Sequence, residues 1–352
     1  MTPHMSLDSL LEEYLIRDLA KITKEYLSRK SSKCLEVETT AIIEFKTLIE
    51  ILKDCLDDVV LEFKQNDEFD YFKSESVEYD IIMPKDLNNE RNHDVKGGNK
   101  GIKITEVNGP KTTLIHVNLD SKQFAKFIVS KPVYDVAFNL NELHRLLKPL
   151  GKNDILNISI DENDTQMIVL NIDNKAKNHK IIQKLRIKDK AKASYLIPKT
   201  GFDVAITMDA TEFHKICDEA IKIADFIEIT SDGNSIMFYS KGDESEFRSI
   251  LYNKHNEHNE PNEFVIKSPD TKNDTIVRAV FEIRYLIPFS KCSKFCNKIQ
   301  IYMKNNYPII IKYPISALGE MFFGLVPITE PEPANNHVND DNDVDDNLDD
   351  ND

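Results

Sequence analysis

The chain has 352 residues, of which 41% are hydrophobic and 30% charged, and its formal net charge is −15. This balance is typical of a soluble protein with two or more domains. No apolar run approaches the roughly 20 residues of a membrane span, so we expect no membrane partner.

The negative charge is concentrated at the C-terminal end. Residues 329–352 contain ten carboxylates and no Lys or Arg, which leaves a net charge of −5 on the rest of the chain. A segment of Asp and Asn with so few apolar side chains cannot offset the entropy lost on ordering, so we predict a disordered acidic tail. The acidity of the whole chain therefore does not exclude a nucleic-acid partner.

The five cysteines are an odd number and are scattered along the chain. Such a set favours reduced thiols and an intracellular location. Cys292 and Cys296 stand close together, but no second cysteine or histidine pair lies near them in sequence, as a zinc site would require. We predict no metal and no other cofactor.

An added helix is predicted near the N-terminal end, over residues 6–30, where apolar side chains recur at helical spacing. A repeated unit then opens with a helix in which Phe45, Leu48 and Leu52 share one apolar stripe. Residues 64–100 are charged and rich in Asn. They interrupt this unit and are predicted to form a surface insertion.

The second half of the chain repeats the patterns of the first. Asp209 as N-cap and Glu212 at the third helical position begin an amphipathic helix that corresponds to the first one. Alternating strands with a turn signal follow each of these helices, at Asn108-Gly109 and at Asp232-Gly233. The order of the patterns therefore indicates an internal duplication.

A further helix is predicted in each half, over residues 139–150 and about residues 284–296. Asn139 and Glu142 form a capping box at the start of the former, and Pro288 is tolerable in the latter only in its first turn. A hairpin then closes each half. The whole pattern indicates an α+β fold made of two copies of one plan, with four short helices and many strands.

The predicted domain boundaries follow from these patterns. They are an N-terminal helical extension over residues 1–33, a first domain over 34–180 with the insertion at about 64–100, a connecting segment over 181–202, a second domain over 203–328 and the acidic tail over 329–352.

Several motifs, in order from about Val37 to Ile328, resemble the proliferating cell nuclear antigen family of DNA sliding clamps. They include Leu48-Ile49-Glu50-Ile51-Leu52-Lys53-Asp54, Gly101-Ile102-Lys103-Ile104, Arg284-Tyr285-Leu286 and the ending Leu325-Val326-Pro327. The resemblance implies a duplicated two-domain clamp fold, with helices lining a ring of three subunits and antiparallel sheets outside. It also implies double-stranded DNA, a DNA polymerase and a clamp loader as partners.

The predicted DNA contacts lie on the polar faces of the four helices, opposite the apolar stripes. The residues that would meet duplex phosphates without reading bases are Lys46, Lys53, Arg145, Lys148, Lys215, Lys222, Lys291 and Lys294. The solvated faces of amphipathic helices would explain any two of them, but less readily a basic set on all four helices. Asp218 and Glu219 depart from the family pattern, so we do not expect the whole third helix to contact DNA.

The resemblance further implies a groove for partner peptides of the PIP-box type, which insert an aliphatic and aromatic plug. The residues that would line it are Val107, Lys111, Tyr195, Leu196, Ile197, Pro198, Pro308, Leu325, Val326, Pro327 and Ile328. Lys111 stands where the family often has a His. Apolar residues in a connecting segment can also serve only to hold it against a sheet, and this alternative stays open.

The sequence contains no glycine-rich phosphate loop, no Gly-x-Ser-x-Gly elbow and no His-Glu-x-x-His motif. We therefore expect that the protein is not an enzyme. Three alternatives to a ring clamp stay open: a clamp-like processivity or checkpoint factor that acts as a monomer or mixed oligomer, a metal-dependent enzyme of nucleic-acid metabolism, and a structural scaffold that does not bind DNA. The composition and the added segments suit a divergent lineage such as a large DNA virus. The expected location is the nucleus or a viral replication compartment.

Overall fold

A computed structural model of the chain describes residues 33–65, 100–192, 195, 201–253, 265–267, 276–294 and 296–328. Four predictions concern residues outside these ranges. They are the N-terminal helix, nearly all of the insertion, the groove wall at Leu196, Ile197 and Pro198, and the acidic tail.

The first half of the chain runs from a strand through a helix, five strands, a second helix and three more strands. These are β1 (Lys33–Thr39), α1 (Ile42–Lys53), β2 (Asp58–Lys64), β3 (Gly101–Val107), β4 (Thr113–Asp120), β5 (Lys126–Val129), β6 (Val133–Asn139), α2 (Leu140–Leu147), β7 (Ile155–Asp161), β8 (Asp164–Asn174) and β9 (His179–Arg186). The predicted insertion falls between β2 and β3.

The second half repeats this order. Its elements are β10 (Val204–Asp209), α3 (Ala210–Ala220), β11 (Phe226–Ser231), β12 (Ser235–Lys241), β13 (Glu246–Tyr252), β14 (Val265–Lys267), β15 (Val277–Glu282), α4 (Ile283–Ser290), β16 (Lys298–Met303), β17 (Ile309–Ile315) and β18 (Gly319–Leu325). The four helices and the hairpins that were predicted for the two halves are present, whereas the strand that precedes the first helix of each half was not predicted.

Equivalent strands of the two halves occur in the same order within their sheets. The order β5-β1-β7-β8-β9 in the first half corresponds to β14-β10-β16-β17-β18 in the second, and β4-β3-β2-β6 corresponds to β13-β12-β11-β15. The paired strands run antiparallel. The predicted duplicated α+β plan is confirmed.

Main-chain pairing between β4 and β18 joins the two halves. Along this ladder Leu119 faces Gly319 and Thr113 faces Leu325, so one nine-stranded sheet runs from β14 to β6. Gly319 has a φ of 155°, and an added Cβ would lie 2.1 Å from the carbonyl oxygen of Asn118. Only glycine permits this close approach of the two strands.

The chain leaves β9 and β18 in the same way. Lys188 donates its backbone N–H to the carbonyl oxygen of Ala137 on β6 at 2.7 Å, and Ile328 donates to Val280 on β15 at 2.8 Å. Because β6 and β15 are equivalent strands, these two bonds extend the duplication to the exit segments. They also set the register between the halves, with Lys188 as the counterpart of Ile328.

Two of the helices, α2 and α3, begin at the predicted caps. The Asp209 carboxylate accepts the backbone N–H of Glu212 at 3.1 Å, and the Asn139 side chain accepts that of Glu142 at 3.1 Å. Phe45 and the other apolar residues of its stripe lie on the buried face of α1. The apolar faces of all four helices contribute to one core that extends through both halves.

Two helices end earlier than predicted. α2 ends at Leu147 instead of residue 150, because Pro149 has no N–H with which to continue the ladder. α4 ends at Ser290, and the chain continues as a 3-10 turn over Lys291–Lys294 instead of an α-helix to residue 296. Pro288 lies in the second turn of α4, not in the first, and the helix ends two residues later.

Both predicted hairpin turns are present, but only one has the predicted geometry. Gly233 has a φ of 83°, as an Asp-Gly turn requires. In the first half the left-handed residue is Lys111, with a φ of 61°, and not Gly109. That turn is instead held by the Asn108 side-chain oxygen, which accepts the backbone N–H groups of Thr112 and Thr113 at 2.9 and 3.0 Å.

All five cysteines lie within the described residues, and none forms a disulfide. Four are buried and Cys55 is half-buried. Among the helices of the described ranges, none is both long enough and apolar enough to cross a membrane.

Candidate functional site

The eight predicted DNA-contact residues lie on the helices or directly after them. Lys46 and Lys53 belong to α1, Arg145 to α2, Lys148 to its C-cap, Lys215 to α3, Lys222 to the turn after α3, and Lys291 and Lys294 to the turn after α4. Five are exposed, and Lys46, Lys53 and Lys291 are half-buried. None of the eight side chains belongs to the core.

Ion pairs bring the basic residues of the two halves onto one surface. The Nζ atom of Lys291 lies 2.9 Å from Asp54 Oδ2, and that of Lys294 lies 3.3 Å from Glu50 Oε1. These contacts connect the turn after α4 in the second half to α1 in the first. We call the exposed faces of α1 to α4 and the turn after α4 the helix surface.

Most charges of the helix surface are already paired with carboxylates of the chain. Beyond the pairs of Lys291 and Lys294, the partners are Asp54 for Lys53, Glu142 for Arg145, Glu212 for Lys215 and Glu219 for Lys222. Sequence analysis named these carboxylates but missed their pairing with the basic residues, although opposite charges three residues apart on a helix are a visible signal. A phosphate must compete with each carboxylate, so the helix surface attracts DNA less strongly than the basic residues alone would predict.

Lys46 and Lys148 differ from the other six. The Nζ atom of Lys46 donates to the carbonyl oxygens of Lys148 at 2.8 Å and Leu150 at 3.3 Å, at the helix end where the dipole favours a cation. The Lys148 side chain is exposed and forms no ion pair with any described residue. Lys148 is therefore the member of the set that is most available to a phosphate.

The exit from β18 lies against the turn that carries Lys111. Val326 donates its backbone N–H to the Thr112 carbonyl oxygen at 2.9 Å. The Val326 side chain is 48% exposed and that of Ile328 is 37% exposed, with the half-buried Pro327 between them. These residues form an exposed apolar strip of the kind to which a peptide plug can bind.

The remaining described groove residues are less exposed. Leu325 is only 1% exposed, because alternation along β18 turns its side chain into the core and leaves Val326 outside. Pro308 directly precedes β17 and is half-buried, as are Val107 at the end of β3 and Tyr195. That these residues bind a peptide together with Leu196, Ile197 and Pro198 stays a prediction.

Three lysines fix the path of the connecting segment after β9. They form the ion pairs Lys188 with Asp58 at 2.7 Å, Lys190 with Glu106 at 2.9 Å, and Lys192 with Glu62. Glu62 and Glu106 are each only 5% exposed, and Glu106 also accepts the Val60 backbone N–H at 2.9 Å. Because removing the partner of a buried carboxylate is costly, these pairs hold the segment that leads to Tyr195 in place. Sequence analysis missed this contact.

No three His, Cys, Asp or Glu side chains of the described residues are arranged to hold a metal ion. Burial raises the pKa of Cys55 and that of Cys296 to about 12. Both thiols are therefore protonated at neutral pH and are poor nucleophiles.

Two family models match the chain one after the other. The model for the proliferating cell nuclear antigen, N-terminal domain, matches residues 77–193, and the model for the C-terminal domain matches residues 196–328. The chain belongs to the proliferating cell nuclear antigen family. The division between the two matches falls in the connecting segment, between the two halves of the duplicated fold.

Two viral relatives are similar to this chain. A "Probable DNA polymerase sliding clamp" of Acanthamoeba polyphaga mimivirus is 29% identical over 318 residues, which are 88% of this chain and 65% of that protein. A "Probable DNA polymerase sliding clamp 1" of Paramecium bursaria Chlorella virus 1 is 28% identical over 242 residues, which are 67% of this chain and 88% of that protein. The chain thus spans slightly less than two thirds of the mimivirus relative. Both relatives agree with the expected viral lineage.

A solved structure confirms the clamp fold of the proliferating cell nuclear antigen family. The crystal structure of Proliferating Cellular Nuclear Antigen from Entamoeba histolytica superposes with a TM-score of 0.65 at 18% identity. The superposition covers 84% of this chain and 100% of the Entamoeba histolytica chain. At this identity the likeness concerns the fold alone.

Proposed function

We propose that the chain is a subunit of a DNA sliding clamp, a ring that encircles duplex DNA and tethers a DNA polymerase and other replication and repair proteins to it. Family membership and the description of both viral relatives as probable DNA polymerase sliding clamps support this function. The mechanism is topological. Closure around DNA supplies persistence, weak phosphate contacts permit sliding, and no residue of the chain carries out a chemical step.

Two free sheet edges carry the proposal. β4 and β18 pair inside the chain, whereas their equivalents β13 and β9 are paired on one side only within the described residues. Both edges bear exposed apolar side chains, with Ile182 on β9 60% exposed and Tyr252 on β13 68% exposed. Pairing β9 of one subunit with β13 of the next would repeat the internal junction and cover both edges. Such a head-to-tail contact closes into a ring when the rotation fits.

The helix surface would line the hole of this ring. Its basic residues, including Lys148, would contact phosphates of either strand without reading bases. Pairing of most of these charges with carboxylates keeps each contact weak, which suits a protein that must slide. A homotrimer is the assembly that the family resemblance implies.

The apolar strip at Val326 and Ile328 would receive PIP-box-like peptides of the polymerase and of other partners. A clamp loader would be needed to open the ring and place it on DNA. The protein would act where this DNA is replicated, in the nucleus or in a viral replication compartment.

Mass in solution and retention on DNA test the proposal together. We expect a particle of about three times the 40.5 kDa chain mass that, once loaded, stays on circular duplex DNA and slides off linear DNA of the same sequence. Equal loss from both DNA forms would contradict topological binding. A particle of one chain mass that still stimulates a polymerase would favour the monomeric or mixed-oligomer factor, and metal-dependent cleavage of the DNA would favour the enzyme.

A further inference from the structure

The internal junction predicts the register of the junction between subunits. Lys188 is the counterpart of Ile328 because their exit bonds are equivalent, so Lys180 on β9 is the counterpart of Glu320 on β18. The same bonds make Val280 the counterpart of Ala137. The ladders of each half then lead from that strand to the edge, along β6-β2-β3-β4 in the first half and β15-β11-β12-β13 in the second. They make Ile250 on β13 the counterpart of Asn118 on β4.

Glu320 faces Asn118 in the internal junction. If β9 and β13 of neighbouring subunits repeat that ladder, Lys180 faces Ile250 and Lys184 faces Glu246. The internal ladder continues past β18 through the bond from Val326 to Thr112. Two residues further along this register, Arg186 lies opposite Glu244, which belongs to the turn closed by the bond from Gly242 to Ser245 before β13.

The side chains that this register brings together have complementary charges. Lys184, Arg186, Glu244 and Glu246 are all exposed. Glu246 accepts a hydrogen bond from the Tyr239 hydroxyl at 3.0 Å, and none of the four forms an ion pair within the described residues. Directly opposed residues of an antiparallel pair project from the same face, where opposite charges attract and like charges repel.

The other face of the same edge is also incomplete in a single chain. The Gln183 side-chain oxygen is buried and has no hydrogen-bond partner among the described residues. The register places Ser249 of the next subunit, with its hydroxyl donor, diagonally opposite Gln183. A cavity of about 270 Å³ lies beside β9 and is lined in part by His179 and Ile181. In the same register Leu251 of the next subunit lies opposite His179. Leu251 is half-buried in the single chain, whereas Leu119, its counterpart at the internal junction, is 1% exposed.

We propose that the subunits are held by an electrostatic latch, in which Lys184 and Arg186 of one subunit pair with Glu246 and Glu244 of the next. The inference rests on the ring proposed above and goes beyond it, because it assigns the register and makes ring opening dependent on salt. The exposed pairs are screened at high ionic strength, whereas the backbone ladder and the apolar contacts are not. The latch also selects like subunits, since a strand edge without the acidic pair would face two uncompensated cations.

Charge reversal in the full chain tests the latch. We expect Lys184→Glu with Arg186→Glu, or Glu244→Lys with Glu246→Lys, to raise the concentration at which the ring dissociates by about tenfold or more at 0.1 M salt, because like charges then face each other. The chain with all four reversals should regain the parent's assembly. Lys180→Glu is the matched control, since Lys180 lies on the same face of β9 but opposite Ile250, and it should assemble as the parent does. Circular dichroism verifies that each variant is folded.

An equimolar mixture of the two double variants supplies a second test. Each junction between unlike subunits is matched and each junction between like subunits is mismatched. A closed ring of three cannot alternate two kinds of subunit and must contain one mismatched junction, so the mixture should form open chains but no closed ring as stable as that of the parent. If the parent is a ring and both double variants assemble as well as it does at low salt, the latch is wrong while the ring stands. A parent that is monomeric at all concentrations removes both proposals.

Discussion

Lys291 and Asp54 are 237 residues apart in sequence, yet their side chains form an ion pair of 2.9 Å that joins the two halves of the chain. Lys53 binds the same carboxylate at 2.7 Å. Burial alone would raise the pKa of Asp54, but the hydrogen bonds from Lys53 and Lys291 outweigh it and hold this pKa below its usual value. Asp54 is therefore ionised at neutral pH and forms ion pairs with two of the eight basic residues of the helix surface.

Replacing Asp54 should strengthen DNA binding. In Asp54→Asn the ammonium groups of Lys53 and Lys291 are free to contact phosphates, and each new contact should steepen the log–log salt dependence of DNA retention by about 0.9. Asp218→Asn is the matched control, because it removes one negative charge from exposed α3 without releasing a lysine from an ion pair. Equal effects of the two substitutions would mean that net charge, and not the release of lysines, controls retention.

The basic residues should also differ in their contributions to DNA binding. Lys148 is exposed and unpaired within the described residues, whereas Lys222 is paired with Glu219 at 2.9 Å. We therefore expect Lys148→Ala to reduce DNA retention and to flatten its salt dependence, and Lys222→Ala to change both by less. Retention measured across a salt series on circular DNA provides the comparison. The reverse order of effects would show that the ion pairs do not persist when DNA is bound.

The sequence predicted those parts of the fold that depend on nearby residues. The stripe through Phe45, the caps at Asn139 and Asp209 and the turn at Gly233 all act over a few residues, and all were found. β1 was not predicted, because it is defined by its pairing with β5 and β7, which lie far along the chain. The early end of α4 was missed because the position of Pro288 within the helix depends on where that helix begins.

The candidate site shows the same division between local and distant interactions. The positions of the eight basic residues could be predicted from the polar faces of amphipathic helices. Their pairing across the chain, as in Lys294 with Glu50, depends on how the halves dock and has no sequence signal. Leu325 was assigned to the groove from its motif alone, and the alternation of β18 places it in the core. The anchoring of the connecting segment by Lys190 and Glu106 likewise required the folded sheet.

Acid should destabilise the protein through His116. Burial, with a smaller effect of Lys103, lowers the pKa of His116 to about 4, and its Nδ1 lies 2.8 Å from the Thr105 hydroxyl. The unfolded state takes up a proton below about pH 6.5 and the folded state only near pH 4, so stability falls as the pH decreases through this window. Between pH 7.5 and pH 5 the parent should lose about 2 kcal/mol more unfolding free energy than His116→Gln. Equal losses in urea titrations would contradict the assignment.

Removing the Tyr313 hydroxyl should not destabilise the fold. Tyr313 is fully buried, and its hydroxyl oxygen has no hydrogen-bond partner among the described residues. Burying an unpaired polar group is costly, so Tyr313→Phe should leave the unfolding free energy unchanged or raise it by about 1 kcal/mol. Tyr313→Ala removes the ring as well and should cost about 3–5 kcal/mol. A loss above about 1 kcal/mol in Tyr313→Phe would reveal a hydrogen bond to this hydroxyl.

Partner recruitment should depend on the exposed apolar strip after β18. A peptide of the type Gln-x-x-aliphatic-x-x-aromatic-aromatic buries its plug at roughly 25 cal/mol per Å², and after the costs of ordering we expect micromolar affinity. Val326→Asp places a charge on the strip, 48% exposed in the parent, and should abolish binding with little change in thermal midpoint or oligomer mass.

Val133→Asp is the matched control for Val326→Asp, because Val133 is 43% exposed and lies on β6, away from the strip. It should bind the peptide as the parent does. Leu325→Asp differs from both, since Leu325 is buried and an unpaired charge in the core should unfold the chain. Calorimetry on the folded variants separates the outcomes. If the peptide binds Val326→Asp as tightly as the parent, the strip is not the docking site. If the two exposed valine variants lose binding equally, the loss reflects added charge and not the groove, and partner recruitment must be assigned to another surface.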